Sequence, residues 1–169
     1  YTPRHPLSEA AFIKTFEAKL TSSSLWDRWL AATNLAAALR LPDILALAGL
    51  RLEPGKATRN ELTAAERHLK KHLDPLAREE HALWMQFHLD NGWQQASEGK
   101  LADLKALQVR DAKAHEAEIK RLKTDERIHT LMVPFDDLAE EEKPKDHDAV
   151  RNYPSTVALV GWKIVFVRE

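Results

Sequence analysis

The sequence predicts a mainly α-helical fold, at the margin of the α+β class, with one small two-stranded sheet. Two observations support this. Alanine, leucine, glutamate and lysine are abundant and only 5 of the 169 residues are glycine, a composition that favours helices. Strand character is confined to two short segments, at about 50–52 and 162–167, each of which follows a glycine. We expect these two segments to pair.

The first two helices are predicted from their capping residues. Ser8 can cap a helix that runs to Leu20, because its side chain accepts from the first free backbone N–H groups. The apolar side of this helix is formed by Ala11, Phe12, Phe16 and Leu20. Ser24 and Asp27 resemble a capping box, so the next helix is expected to begin there.

Two distant segments of the chain, residues 42–52 and 154–164, have similar sequences. They share proline, alanine, leucine and glycine in register, and each places a cation after the glycine. Proline suits the first position of a helix and glycine suits its end. The two similar segments therefore predict two short helices, one from Pro42 to Gly49 and one from Pro154 to Gly161. Each helix is expected to lead into one of the two strands.

The middle of the chain predicts two further helices. Asn60 is expected to cap a polar helix that ends near His72. The Asp74-Pro75 pair then starts a helix over residues 76–91, because the residue before proline resists helix and proline favours a first turn. Gly92 stops this helix.

Residues 97–127 are the most charged stretch and are predicted to form a protruding charged helix or hairpin. Its apolar stripe is thin and consists of Leu101, Leu104, Leu107, Ile119 and Leu122. Residues 132–135 are expected to be extended, and Asp136 or Asp137 to cap a helical turn that reaches Glu142.

The overall composition excludes several classes of protein. Without cysteine there is neither a disulfide framework nor a thiolate metal site, which is compatible with a cytoplasmic location. The 25 basic and 26 acidic residues nearly cancel, so no nucleic-acid partner is indicated. The longest apolar run, residues 41–52, falls short of the ~20 residues that a membrane span needs.

Three blocks of sequence resemble the ryanodine receptor repeat in its prokaryotic form. The first is LAREEHALW at residues 76–84 with NGW at 91–93. The second is HTLMVPFDDLAEEEK at 129–143, and the third is DHDAVRNYP at 146–154, running into the segment that ends at Ile164. The blocks stand in the order that the family has, over about half of the chain.

The resemblance implies a helical module with a small sheet and an aromatic-lined groove. It also implies a role in sensing nucleotides or nucleotide-derived messengers, or in contacts within large assemblies. Prokaryotic members often carry the repeat at the end of a longer chain, and this chain begins at Tyr1 without methionine. Other domains of a longer chain are therefore expected partners.

The sequence departs from the family pattern after Trp93. The family continues with a Tyr-Gly and an Arg-Asp pair shortly before the histidine, whereas about thirty extra residues precede His129 here. Arg110-Asp111 is present, but inside the charged insertion, so the family's Arg-Asp role is not transferred to it. The insertion therefore affects the expected ligand more than the expected fold.

The expected ligand site is lined by aromatic and histidine side chains with an arginine nearby. Its members are His81, Trp84, Trp93, His129 and Pro134, with Arg78 or Arg151 near an anionic group. Two indoles can sandwich a planar base, histidines can donate hydrogen bonds, and a guanidinium binds phosphate through two bonds.

Each of these residues also has a purely structural interpretation. Both tryptophans can be hydrophobic anchors of the core, and His81 and His129 can tie a loop to a helix. Arg78 can form a surface ion pair with Glu79 or another carboxylate, which contributes little to stability.

Metal binding and catalysis are not expected. His68 and His72 have the spacing of a helical metal site, but Leu69 stands where zinc proteases have their glutamate. The carboxylates at 136–142 lack the glycine of a calcium loop. The sequence also has no Gly-x-Ser-x-Gly elbow, thiol nucleophile, phosphate loop or dinucleotide motif. We therefore expect no cofactor, no catalytic residue and no enzyme activity.

Two functional hypotheses follow. We expect a single domain (1–169), in which an N-terminal helical part (1–60) packs on the repeat (61–169). In the first hypothesis, this domain senses a small nucleotide-like or other planar anionic ligand. In the second, the insertion at 97–127 makes the chain a protein–protein interaction or oligomerisation module, since a partner helix could complete its thin apolar stripe.

Overall fold

The computed structural model describes the backbone of residues 9–167, and within it the side chains of residues 14, 15 and 17–167. It confirms the predicted class: the described residues form seven α-helices and few, short strands. The helices are α1 (Glu9–Leu20), α2 (Leu25–Leu47), α3 (Arg59–Lys71), α4 (Leu73–Asp90), α5 (Glu98–Arg110), α6 (Ala112–Arg121) and α7 (Lys143–Leu159). The strands are β1 (Leu50–Pro54), β2 (Gln94–Gln95), β3 (Ile128–His129) and β4 (Trp162–Phe166).

The chain divides into two compact units. The first is formed by residues 1–80 and 144–169, and the second by residues 81–143. The division into an N-terminal part and a repeat that we expected from the sequence, with its boundary at 60, stays a prediction.

The predicted pairing of the two strand segments in the first unit is confirmed. β1 and β4 are antiparallel, with Leu50 opposite Phe166 and Pro54 opposite Trp162. Gly49 and Gly161, which precede the two strands, have φ angles of +66° and +75°, in the left-handed region that favours glycine. The Gly49 carbonyl oxygen accepts from the Val167 N–H at 2.9 Å, and the Gly161 carbonyl oxygen accepts from the Gly55 N–H at 2.8 Å. These two hydrogen bonds extend the pairing at both ends of the sheet.

The helix starts that we predicted at Pro42 and Pro154 are wrong. Both prolines lie inside long helices, α2 and α7, which begin at Leu25 and Lys143. A proline inside a helix costs about 3 kcal/mol because one hydrogen bond is lost and the ring meets the preceding turn. Burial of neighbouring apolar side chains offsets this cost: Ile44 in α2 is fully buried, and so is Pro154 itself.

Capping decides the other boundaries. α2 begins after Ser24 as predicted, and the Ser24 hydroxyl accepts from the Asp27 N–H at 3.3 Å. The Asp27 carboxylate, however, accepts from the Ser22 hydroxyl at 2.8 Å. The prediction that Asn60 caps α3 is wrong, because Thr58 forms a full capping box with Glu61 two residues earlier.

Further helix boundaries can be compared with the sequence. α4 begins at Leu73, earlier than predicted, and Pro75 lies in its first turn. Gly92 follows the end of α4 with a φ angle of +77°, the left-handed conformation that stops a helix.

The predicted helical turn to Glu142 is a short 3₁₀ segment over Phe135–Asp137 followed by turns. α1 ends at Leu20 as predicted, whereas Ser8 and the side chains of Ala11, Phe12 and Phe16 lie outside the described residues.

In the second unit, the charged insertion forms a helical hairpin. α5 and α6 pack on each other, and a π-helical turn over Leu122–Glu126 continues α6. A small core of its own consists of Ala96, Leu104, Leu122 and Ile128, against which Leu101 and Ile119 pack. The hairpin lies between β2 and β3, which pair in parallel with Gln95 opposite His129.

One helix among the described residues, α2, is long and apolar enough to cross a membrane, judged by length and composition alone. It includes the fully buried Ile44 and Leu45 and also the exposed Leu39 and Leu47. Core helices and N-terminal signal segments satisfy the same criterion, so a single such helix is weak support for a span. The absence of a membrane span that we expected from the sequence stays a prediction.

Candidate functional site: a tryptophan and histidine cluster

The second half of α4 places three aromatic side chains on one face. His81, Trp84 and His88 are three and four residues apart, the spacing that brings side chains together on a helix. The His81 ring stacks on Trp84 with 5.4 Å between centroids and 29° between planes. The His88 ring lies 4.3 Å from Trp84 on the next turn. Trp84 is thus held between two imidazoles of its own helix.

Two further rings come from the chain outside α4. Gly92 turns the backbone so that the Trp93 N–H donates to the His88 carbonyl at 3.0 Å, which sets the Trp93 ring 5.2 Å from that of His88. β3 delivers His129, whose ring meets Trp84 edge-on at 4.9 Å and lies 6.0 Å from Trp93. The pairing of β2 with β3 therefore joins the two parts of the cluster.

Backbone hydrogen bonds fix all three imidazoles. His81 Nε2 lies 2.9 Å from the Val133 carbonyl oxygen, and His88 Nδ1 lies 2.9 Å from that of Trp84. Because a carbonyl can only accept, each of these nitrogens carries a proton. His129 Nδ1 instead accepts from the Leu131 N–H at 3.2 Å, so its neutral ring carries the proton at Nε2.

The cluster has a buried base and an accessible rim. His81, His88 and Trp93 are only 4%, 3% and 5% exposed. Trp84 and His129 are half-buried, and Pro134 is exposed. A ligand in solution can therefore reach the Trp84 and His129 rings, while the buried rings hold them in place.

The structure brings four of the seven residues predicted from the sequence into ring contact, and these are His81, Trp84, Trp93 and His129. Pro134 directly follows Val133, whose carbonyl oxygen binds His81. The two arginines belong to the first unit, where each forms a surface ion pair. Arg78 donates to Asp74 at 2.8 Å and Arg151 to Asp148 at 2.7 Å. The hydrogen bond from Arg78 lowers the pKa of Asp74 below its usual value.

Sequence reasoning missed His88 and Phe135. His88 contacts both indoles, and Phe135 lies edge-on to His81 at 6.0 Å between centroids. The signal for His88 was its position seven residues after His81 and four after Trp84. A planar ligand that stacked between Trp84 and Trp93 would have to displace the His88 ring, so the exposed part of the half-buried Trp84 ring is the better contact surface.

The described residues contain no group of three or more histidine or acidic side chains placed to hold a metal ion. In the His68 and His72 pair, the rings lie 4.7 Å apart. The Nε2 atom of His68 lies 2.7 Å from the Ala48 carbonyl oxygen. That hydrogen bond gives His68 a structural role at the end of α2.

The arrangement offers two kinds of recognition. Indole faces stack on planar rings, and the N–H groups of imidazoles donate hydrogen bonds to anions. Comparison with models of known protein families, with curated proteins and with solved structures gave no match. The likeness to the ryanodine receptor repeat therefore stays a prediction from the sequence.

Proposed function

We propose that the chain is a non-catalytic sensing module that binds a small, planar, anionic ligand of the nucleotide type at the tryptophan and histidine cluster. The observation that carries the proposal is the contact between two half-buried rings, Trp84 and His129, whose centroids lie 4.9 Å apart. The buried rings of His81, His88 and Trp93 pack around them. Stacking of a base on such a ring contributes about 1–3 kcal/mol.

Preorganisation supports this proposal. Trp84 is flanked by His81 and His88, and each of these imidazoles is held by a backbone carbonyl. A ring that is already fixed loses little conformational entropy when a ligand binds, so more of the contact energy appears as affinity.

The anionic part of the ligand needs a cation or an N–H donor. His129 is the accessible imidazole of the cluster. Arg78 and Arg151 lie in the first unit and are bound to Asp74 and Asp148, so their role in anion binding stays a prediction from the sequence.

The proposal is tested by tryptophan fluorescence and calorimetry with a panel of mononucleotides and cyclic dinucleotides. Trp84→Ala is expected to weaken binding about tenfold or more, since ~1.4 kcal/mol of stacking corresponds to a factor of ten. Trp162→Phe is the matched control, because Trp162 is an exposed tryptophan of β4 in the other unit. The absence of any ligand tighter than about 1 mM, or unchanged binding by Trp84→Ala, would contradict the proposal.

A second candidate function is interaction with another protein through the α5–α6 hairpin. It is favoured by a groove of about 460 Å³ on the hairpin, with Leu104, Leu107 and Leu122 among its lining residues. A groove with apolar and charged walls suits a partner helix. Deletion of residues 97–126 removes every residue that lines the groove, and an unchanged oligomeric state by light scattering together with unchanged partner binding would contradict this candidate function.

A further inference from the structure

One side of α5 carries charges at its two ends and apolar groups between them. Asp103, Ala106, Leu107 and Arg110 lie at positions i, i+3, i+4 and i+7, so they form a single stripe along the helix. All four line the groove of the hairpin. Leu107 is half-buried and the other three are exposed, so the stripe faces outwards from the hairpin core.

The charges of this stripe are not neutralised within the hairpin. The other two charged residues of the groove have partners: Lys100 donates to Glu126 at 2.9 Å, and Glu118 accepts from Arg121 at 2.7 Å. The side chains of Asp103 and Arg110, by contrast, form no hydrogen bond or ion pair with any other residue that the structure describes. An acid and a base thus lie at opposite ends of the stripe, each without a counter-charge.

We infer that α5 packs antiparallel against α5 of a second copy of the chain, about a two-fold axis between Ala106 and Leu107. Residues 103 and 110 are equidistant from that axis, about 5 Å on either side at 1.5 Å per residue. The two-fold operation therefore sets Asp103 of each copy opposite Arg110 of the other. The same acid and base meet twice, and the stripe is its own complement.

The apolar centre supplies the attraction and the charges supply the orientation. Ala106 is small, so two helices can approach to about 8–10 Å between axes, and the Leu107 side chains can then enter the facing grooves. Ion pairs at the rim of an interface add little affinity but strongly disfavour a wrong register, because like charges would then meet. A parallel arrangement would set Asp103 against Asp103 and Arg110 against Arg110, which disfavours that orientation.

The inference rests on the second candidate function and is independent of ligand binding at Trp84. The full chain is examined by sedimentation equilibrium and light scattering over a range of concentrations. Asp103→Arg and Arg110→Asp are each expected to weaken the dimer about tenfold or more, because each brings like charges together twice. The double variant, in which the two charges are exchanged, is expected to regain affinity within about threefold of the original chain.

The controls carry the same changes of charge on other faces of the hairpin. Glu116→Arg on α6 and Lys105→Asp on α5 alter exposed residues that do not line the groove, and they are expected to leave the dimer intact. A chain that stays monomeric up to about 1 mM, or a double variant as weak as the single ones, would overturn the inference. A dimer that the single variants leave unchanged would do so too. Unchanged nucleotide binding in the single variants would show that the two functions are separate.

Discussion

Glu80 is bound by two side chains in the interior of the first unit. The Arg40 guanidinium of α2 forms an ion pair with one carboxylate oxygen, and the Tyr153 hydroxyl of α7 donates to the other at 2.7 Å. The Arg40 and Glu80 side chains are only 12% and 9% exposed. Burial, together with the negative charge of Glu80, raises the pKa of Tyr153 above its ordinary value. These three residues tie three helices of the unit together.

We expect Glu80→Ala to destabilise the chain more than Tyr153→Phe. Removal of Glu80 leaves the buried Arg40 charge unpaired, a change that costs about 3–5 kcal/mol. Tyr153→Phe removes one hydrogen bond to a carboxylate that keeps its arginine, which costs about 1–3 kcal/mol. Urea unfolding of both variants checks this order. An equal or smaller loss for Glu80→Ala would show that the ion pair does not stabilise the unit.

A second carboxylate, Glu61, connects a helix cap to the sheet. It accepts from the Thr58 N–H and from Lys163 of β4, both at 2.7 Å. The hydrogen bond from Lys163, followed by that from Thr58, lowers the pKa of Glu61 from 4.5 to about 2. A folded-state pKa below the unfolded value means that ionised Glu61 stabilises the fold, so this contribution is present above about pH 4.5 and is lost as the pH falls towards 2.

Glu61→Gln is therefore expected to lower the free energy of unfolding at about pH 7 and to reduce its change between about pH 5 and pH 2. Glu66→Gln, an exposed change on the same helix, is the control and is expected to leave both quantities nearly unchanged. Denaturant unfolding at several pH values measures both. A Glu61→Gln curve parallel to that of the original chain would contradict the role of the Glu61–Lys163 pair.

At the level of single residues, the sequence predicts part of the aromatic cluster. His81 and Trp84 share a helix face because of their spacing, and the ring contact between them follows from that local geometry. The contact of His129 with Trp84 depends instead on the pairing of β2 with β3 across a long insertion. No local pattern encodes such a contact. The contact of His88 with Trp84, by contrast, is local, since His88 follows Trp84 by four residues on α4, and the sequence interpretation overlooked it.

At the level of helices and strands, the similar segments 42–52 and 154–164 show which helix boundaries are determined by the local sequence. Gly49 and Gly161 follow their helices in the left-handed backbone conformation, which strains any residue with a side chain. Because glycine is favoured there, it marks the end of each helix, and the sequence predicts both ends correctly. The starts were misplaced because a proline inside a helix is tolerated where packing outweighs its cost. That balance is set by tertiary contacts, which a short stretch of sequence does not reveal.

The two prolines offer a matched test of this balance. Pro42 is exposed in α2, so Pro42→Ala is expected to stabilise the chain by about 1–3 kcal/mol through the regained helix hydrogen bond. Pro154 is fully buried in α7, so Pro154→Ala also removes packed ring atoms and is expected to gain less or to destabilise. Thermal and urea unfolding of both variants measure the difference. Equal effects at the two positions would contradict the role given to packing.

The hairpin shows the same division between local and distant information. The thin apolar stripe predicts a helix or hairpin at 97–127, and α5 with α6 confirms it. The stripe is thin because the hairpin buries only a few side chains of its own, chiefly Leu104 and Leu122. Its charged surface is clear from composition, but which charges find partners inside the hairpin is decided by the fold.

For the molecule as a whole, the sequence predicts the class of fold and the sheet that joins residues 50 and 166. It does not predict the division into two compact units, because the first unit is assembled from two distant stretches of chain, 1–80 and 144–169. One boundary falls within α4, between Glu80 and His81, and the other at the start of α7, between Lys143 and Pro144. A helix that continues through a boundary carries no change of composition or linker to mark it.

The pairing of β1 with β4 has a consequence for the synthesis of this protein. Leu50 emerges from the ribosome long before Phe166, so the edge of β1 that β4 later covers stays without its strand partner while more than a hundred further residues are added. Residues 81–143 are contiguous and can fold in that interval. The β1–β4 sheet can thus be completed only after the whole inserted unit has been synthesised, whereas the inserted unit needs no part of β4.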